Sequence, residues 1–333
     1  IIIVNGKLHS SNFKFEDKKK IKIKNFQNKN FSESNENNPL ISLNLALSNK
    51  GYHLEIKDNY KFKKTVIIYN LFTKDLKDSI LNSRNKIKVG KNSELHTIDF
   101  IVNESNHKFM NNVYENVTLE NNSTYKTICI QKDKSQGYFH KFSKNQLLSN
   151  SKYTTFIFPS GLKFNKLDLE FNLEGKECEC NLQSASFLNK DDHQEIKTKM
   201  NHLAPNCKSY QRVKNVLSSD GKGVYQGKIY VKDIAQKTDA YQLSKAMMLS
   251  DNSEFDSKPE LEIYADDVKC SHGSTSGKVD EEAIHYLMTR GLDKKESTTL
   301  LINGFLNEVI EMIRSNTIKN FVQDKLKRQI HGY

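Results

Sequence analysis

Apolar and polar residues alternate with period two in segment after segment of this chain. The pattern is clear in His53-Leu54-Glu55-Ile56-Lys57 and Val66–Tyr69, and again in Thr97–Val102, Thr154–Phe158, Leu167–Phe171 and Lys228–Val231. Successive side chains on a strand point to opposite faces, so each segment predicts a strand with one face buried. Polar corners of Asn, Ser, Lys and Gly separate them. No apolar stripe of helical spacing and useful length interrupts the first 280 residues, which argues against a sheet with crossover helices. Many short strands at roughly regular spacing fit a barrel, a sandwich or a β-helix, and periodicity does not choose among them. The chain has only 4 Pro and 14 Gly, few for a sandwich of tight hairpins. No clean internal repeat stands out.

After Gly277 the pattern changes to helical. Asp280-Glu281-Glu282 supplies a cap and an acidic first turn before Ala283–Met288, and Gly291 stands where a helix-terminating glycine belongs. Asp293 with Glu296 predicts a capping box for a second helix. Leu300, Leu301, Phe305, Val309, Ile310 and Ile313 form its expected apolar stripe, and Ile318–Ile330 repeats the pattern more weakly. The expected organisation is a β-rich core over 1–278 and a small helical domain over 279–333.

Composition narrows the class. Of 333 residues 36% are apolar and 27% charged, with mean hydropathy −0.68, yet 18 Phe and 14 Tyr suffice for a core. No apolar run approaches the ~20 residues of a membrane helix. The net charge of +11 could favour nucleic acid, but the lysines are scattered among asparagines. The dense run Lys18-Lys19-Lys20 has no interleaved aromatics and no recognition-helix pattern after it, so nucleic acid is not expected. Four N-x-S/T matches, at Asn103, Asn116, Asn121 and Asn122, read as chance in an Asn-rich chain. The chain begins with Ile, so its true N-terminus is expected to be missing.

Five cysteines (Cys129, Cys178, Cys180, Cys207 and Cys270) are too few and too odd for a disulfide scaffold and point to a reducing compartment. Cys178 and Cys180 lack the C-x-x-C spacing and read as small buried residues on one strand face. The chemically suggestive stretch begins at Lys258. Its alternation slips at Asp266-Asp267, which predicts a corner or bulge. Beyond it Val268, Cys270 and His272 share a face, and Lys269 and Ser271 take the other. A thiol and an imidazole two apart on one face are ligands suited to iron or zinc, though from spacing alone a buried cysteine beside a hydrogen-bonded histidine is the better account, and two ligands do not make a metal site. Asp220–Gly227 lacks the G-x-x-x-x-G-K-[ST] spacing of a phosphate loop, so no nucleotide is expected on this chain; the segment reads as a turn between strands.

Many short matches in order carry a family resemblance. They are His202-x-x-Pro205, Ser209-x-Gln211, Lys214, Gly227–Val231, Ala235–Asp239, Gln242 and Leu249-Ser250. The block Pro259-x-Leu-Glu-Ile-Tyr-Ala-Asp-Asp-Val-Lys-Cys-Ser-His-Gly273 follows, then Tyr286-Leu287 and Arg290-Gly291. From about Asp192 to Ile313 the chain resembles the SufB/SufD family of iron–sulfur cluster assembly proteins. Gly273, where the SufB branch would carry Glu, places it on the SufD side. Ser274 and Met247-Met248 depart from the usual Ala and Leu without touching a ligand-capable group.

The resemblance implies a right-handed parallel β-helix with a C-terminal helical domain, the family's N-terminal helical domain being absent here. It implies a non-catalytic scaffold, paired with a SufB-like subunit and docked by a SufC-like ABC ATPase through the helical region. His272, with Cys270 beside it, would hold iron or a nascent cluster at the SufB–SufD interface, and Lys269, Ser271 and Gly273 would line that interface. The helical stretch would close the end of the β-helix, face the ATPase, or both. His202 and Cys207 fall in a matched segment and are expected to be structural. A homodimeric scaffold, a non-catalytic β-helix binding module, and a β-helix lyase or hydrolase using Asp266-Asp267 are the other readings. A bacterial-type cytoplasm is the expected location, with a plastid-type stroma as the alternative.

Overall fold

A computed structural model describes residues 1–26, 38–132, 135–159 and 161–331. In chain order the strands are β1 (Ile2–Val4), β2 (Lys7–Ser10), β3 (Ile21–Asn25), β4 (Tyr52–Ile56), β5 (Val66–Phe72), β6 (Ser79–Val89) and β7 (Glu94–Asn103). They continue as β8 (Phe109–Leu119), β9 (Thr124–Lys132), β10 (Ser135–Leu147), β11 (Lys152–Phe158), β12 (Leu162–Leu173) and β13 (Glu179–Leu188). The last are β14 (His193–His202), β15 (Lys208–Leu217), β16 (Lys222–Val231), β17 (Asp239–Met248), β18 (Glu254–Ile263) and β19 (Lys269–Lys278). Helices are α1 (Pro39–Leu47), α2 (Glu281–Thr289), α3 (Lys294–Ile310) and α4 (Asn316–His331).

From β4 onward the chain winds as a parallel β-solenoid. Odd strands β5 to β19 stack in parallel in one sheet and even strands β4 to β18 in the other. The pairing is in continuous register, as in Glu179↔Lys208 and Asp239↔Lys269. Antiparallel additions, β2 on β1 and β3 on β4, terminate the N-terminal end of both sheets. The six alternating segments read from the sequence fall on strands, and inward residues of five of them, such as Leu54, Ile68, Ile157, Phe171 and Ile229, fill one continuous core, while Ile98, Phe156 and Phe158 face outward. Cys178 and Cys180 are both buried in it.

Six of the turns into the longer sheet share one repeated device. The residue two before the strand is left-handed at Asn92, Asn122, Asn150, Glu177, Asn206 and Lys237. Asn tolerates that conformation better than most residues, so asparagines that read as compositional bias are corner residues. Asn122 also donates through Nδ2 to Asn92 Oδ1 (3.0 Å), and Asn92 likewise to Asn59 (2.9 Å), a ladder up one edge.

Three expectations are corrected. A helix does interrupt the strand-rich region: α1 lies on the outer face of the even sheet. Its buried Asn44 donates to the carbonyls of Ser83 (3.1 Å) and Asn112 (2.8 Å). Asp220–Gly227 is not one turn, because β16 already begins at Lys222. Helices α3 and α4 do not close the solenoid end. They lie along the outer face of the odd sheet, where Ile98, Ile128, Phe156, Phe187 and Val216 pack against Ile302, Leu306, Val309, Val322 and Leu326. The buried stripe of α3 is accordingly set by Ile302, Leu306 and Val309, while Leu300 is 52% exposed.

Candidate functional site

β18 and β19 are the last strands of their sheets, and among the described residues nothing pairs with their outer edges. The corner predicted at Asp266-Asp267 separates them. On β19, Ala240↔Cys270, Gln242↔His272 and Ser244↔Ser274 are register partners. Ala240, Gln242 and Ser244 are inward and buried, so Cys270, His272 and Ser274 face the same interior one coil later. Because no further coil covers them, His272 is exposed and Cys270 half-buried against the end of the core. Lys269 and Ser271 point outward and are exposed; Gly273 is half-buried, and a Cβ there would meet Leu243 Cδ1 at 3.2 Å.

Beneath this open coil is a hydrogen-bonded floor. Gln242 donates through Nε2 to the carbonyls of Gly227 (3.2 Å) and Glu260 (3.4 Å). Tyr225 donates its hydroxyl toward Gln242 Oε1 (3.4 Å) and Gln211 Oε1 (3.3 Å). Ser244 bonds to Ser257 (2.8 Å) and donates to Ser274 (3.0 Å). The floor fixes the last coil, and above it the His272 imidazole stands exposed. Burial raises the Cys270 thiol above the ordinary range, and the Asp239 carboxylate adds to the shift. Cys270 is therefore protonated near neutral pH, and binding it to a metal would release that proton.

Two donors spaced two apart make an incomplete coordination sphere. Among the described residues no group of three or more His, Cys, Asp or Glu side chains converges as a metal site. Any iron held here needs ligands from outside the described chain. His202 and Cys207, from the matched segment, are both fully buried. His202 accepts or donates one bond, to Ser209 Oγ at 2.9 Å, and burial lowers its pKa to about 4.

Two further concave regions lie away from β19. A groove of about 760 Å³ runs between the odd sheet and the α3–α4 connection, lined by His96, Lys126, Lys152, Tyr210 and Arg314 among others. Inside the early coils a cavity of about 80 Å³ meets Asp99, Glu115, Cys129 and Lys141. Lys141 pairs with Glu115 at 2.6 Å, and burial lifts the Asp99 carboxyl to about 6. These inward charges sit among alternating apolar residues on strands of unremarkable pattern. They were not singled out in the sequence, and only the polar interruptions Asp99, Glu115 and Lys141 at inward positions mark them.

The family model for the SUF system FeS cluster assembly, SufBD core domain, matches residues 72–305. The iron–sulfur cluster assembly protein SufD of Escherichia coli is 32% identical over 195 residues, which is 58% of this chain and 46% of that protein. A SufBD family protein of Synechocystis is 28% identical over 209 residues, 62% of this chain and 45% of its own length. SufD of Plasmodium falciparum matches 84% of this chain at 27% identity, but that is only 19% of the Plasmodium protein. The chain thus spans about half the length, or less, of these curated relatives. A parallel solenoid with a helical C-terminus, matched over most of its length by that core domain, belongs to the SufB/SufD family of iron–sulfur cluster assembly proteins and is most like SufD.

Proposed function

We propose that this chain is a SufD-like scaffold subunit that contributes one side of a shared site for iron or a nascent iron–sulfur cluster. The observation that carries the reading is the placement of Cys270 and His272 on the uncovered last strand, facing inward over a fixed polar floor. Such an edge offers unpaired backbone groups for a second β-sheet to continue, so a SufB-like β-helix is the partner that fits it. Lys269, Ser271 and Gly273 flank the two ligands on the same edge strand and would lie in the contact. His272 would ligate the iron, with Cys270 next to it as a further ligand once deprotonated, and the partner would complete the sphere. Iron and sulfur are cargo here, assembled and passed on, and the chain itself is a non-catalytic scaffold.

The helical segment from 279 onward acts, in this reading, as a docking unit for a SufC-type ABC ATPase beside the 1–278 core. Tyr286 and Leu300 supply exposed apolar side chains for that contact. No helix among the described residues is long and apolar enough to cross a membrane, and the reading places the chain in a bacterial-type cytoplasm or a plastid-type stroma.

The test is anaerobic co-expression with SufB and SufC homologues, followed by native mass spectrometry and iron and sulfide analysis. A complex containing one SufB homologue, one copy of this chain and ATPase subunits is expected. In His272→Ala the complex should assemble but lose its iron. Normal iron and sulfide in that variant complex would refute the role of His272. A homodimer that ignores both partners would withdraw the heteromeric scaffold.

A further inference from the structure

The six left-handed corners of the longer sheet share a second repeated element. The residue directly after the left-handed one turns inward and caps a carbonyl of its own corner. Ser93 donates to Lys91 O (3.1 Å), Ser123 to Glu120 O (2.6 Å) and Thr238 to Ala235 O (2.8 Å). Cys178 does the same to Gly175 O at 3.1 Å. The ladder is therefore made of hydroxyls except at two consecutive rungs, Cys178 and Cys207, which are thiols.

These two sulfurs are brought together by the fold. Glu179 and Lys208 are direct register partners, so the cysteines that precede them are one interstrand spacing apart, about 4.8 Å. That lies within the ~4.4–6.8 Å between Cα atoms that a disulfide spans without backbone movement. Both sulfurs rest on one oxygen, Gly175 O, at 3.1 Å from Cys178 and 3.2 Å from Cys207. The contact between the two thiols lowers Cys178 and raises Cys207. The side chains are 1% and 0% exposed, but they lie one residue beneath the surface, since their neighbours Glu177 and Asn206 are exposed. Cys180 lies in the same core two residues further along, and Cys129 lines the internal cavity.

We propose that Cys178 and Cys207 are a redox-active dithiol, oxidised by a hydroperoxide to an intrachain disulfide that joins two successive coils. Cys178, deprotonated, attacks the peroxide, breaking the O–O bond and forming a sulfenic acid as water or an alcohol leaves. The Cys207 sulfur then attacks the Cys178 sulfur, and the hydroxyl departs as a second water with the Cys207 proton. The two thiols give up two electrons and the peroxide takes them. Small size is what the oxidant needs, because the pair is reached through a corner rather than a cleft.

The test is treatment of the folded full chain with hydrogen peroxide, followed by thiol counting in denaturant and non-reducing peptide mapping. All five cysteines are free in the reduced protein. The expected result is a loss of two thiols and a Cys178–Cys207 crosslinked peptide about 2 Da lighter than its reduced parts. Cys207→Ser should abolish the crosslink and keep the fold, because serine already occupies equivalent rungs at Ser93, Ser123 and Ser151. The wild-type result stands alone if that variant does not fold. Retention of five thiols, or a crosslink that maps to Cys129, Cys180 or Cys270, overturns the proposal.

Discussion

Lys214 of β15 and Glu308 of α3 meet at 2.5 Å across the seam between sheet and helix, the lysine being 0% exposed and the carboxylate largely in solvent. The same Nζ donates to Phe305 O at 3.0 Å and sits 4.4 Å from the Phe305 ring centroid. One ammonium thus grips two residues on successive turns of α3. The hydrogen bond to Lys214 holds the Glu308 carboxyl below its usual range, while burial lowers Lys214.

Replacing Lys214 with Met keeps an unbranched stem in the seam and removes the ammonium. The expected cost is about 1–3 kcal/mol, the scale of losing a charge-assisted bond to a buried partner. Amide exchange should accelerate in α3 more than in β13 or β11. Urea unfolding with hydrogen exchange reads both, and unchanged exchange across α3 would show that the helix is held by apolar packing alone.

Gly227 faces the interior opposite Gln242 and Tyr225. A Cβ at this position falls inside contact distance of Gln242 Oε1 and the Tyr225 hydroxyl, so Gly227→Ala must displace the floor under His272. A destabilisation of about 1–3 kcal/mol is expected from the overpacking, together with a shift of the His272 imidazole resonances. If both the melting temperature and those resonances match wild type, the floor does not position the last coil.

His202 predicts a pH dependence. Its folded pKa is depressed to about 4 by burial, against roughly 6.5 in the unfolded chain. Between those values the unfolded state binds the extra proton, so this contribution is complete above about pH 6.5 and is lost as pH falls toward 4. The loss is at most about 3.5 kcal/mol, at about 1.4 kcal/mol per pH unit. His202→Gln should flatten the acid branch of a stability-against-pH curve measured from urea midpoints. A curve with the wild-type slope between pH 6.5 and 4.5 would assign the acid sensitivity to other groups.

Local signals with a single mechanism were legible in the sequence. The Asp293–Glu296 capping box, the left-handed Gly291 and the corner at Asp266-Asp267 all stand as their residues suggest. So does the shared inward face of Cys270 and His272, because strand alternation needs no tertiary knowledge. The repeat did not read as one, because it resides in backbone conformation: Asn serves at four of the six left-handed corners and Glu177 and Lys237 at the others. α1 was hidden because its buried face is made by Asn44 as much as by Ile41, leaving no apolar stripe. The docking of α3 depended on the outward Ile128, Phe156 and Phe187, whose presence makes those strands apolar on both faces and blurs the alternation.

The coil makes length and direction independent quantities. Lys152 and Glu179 are register partners 27 residues apart, and Lys208 and Asp239 are partners 31 apart, yet each coil advances the stack by the same ~4.8 Å. The surplus residues are taken up at the corners. Adding or removing a whole coil would therefore carry the terminal edge along the axis without rotating Cys270 and His272 away from the interior. Adding one residue inside a strand would instead exchange the two faces. Reach along the axis can be altered in quanta of a coil, while the side on which Cys270 and His272 are offered stays locked by the pleat.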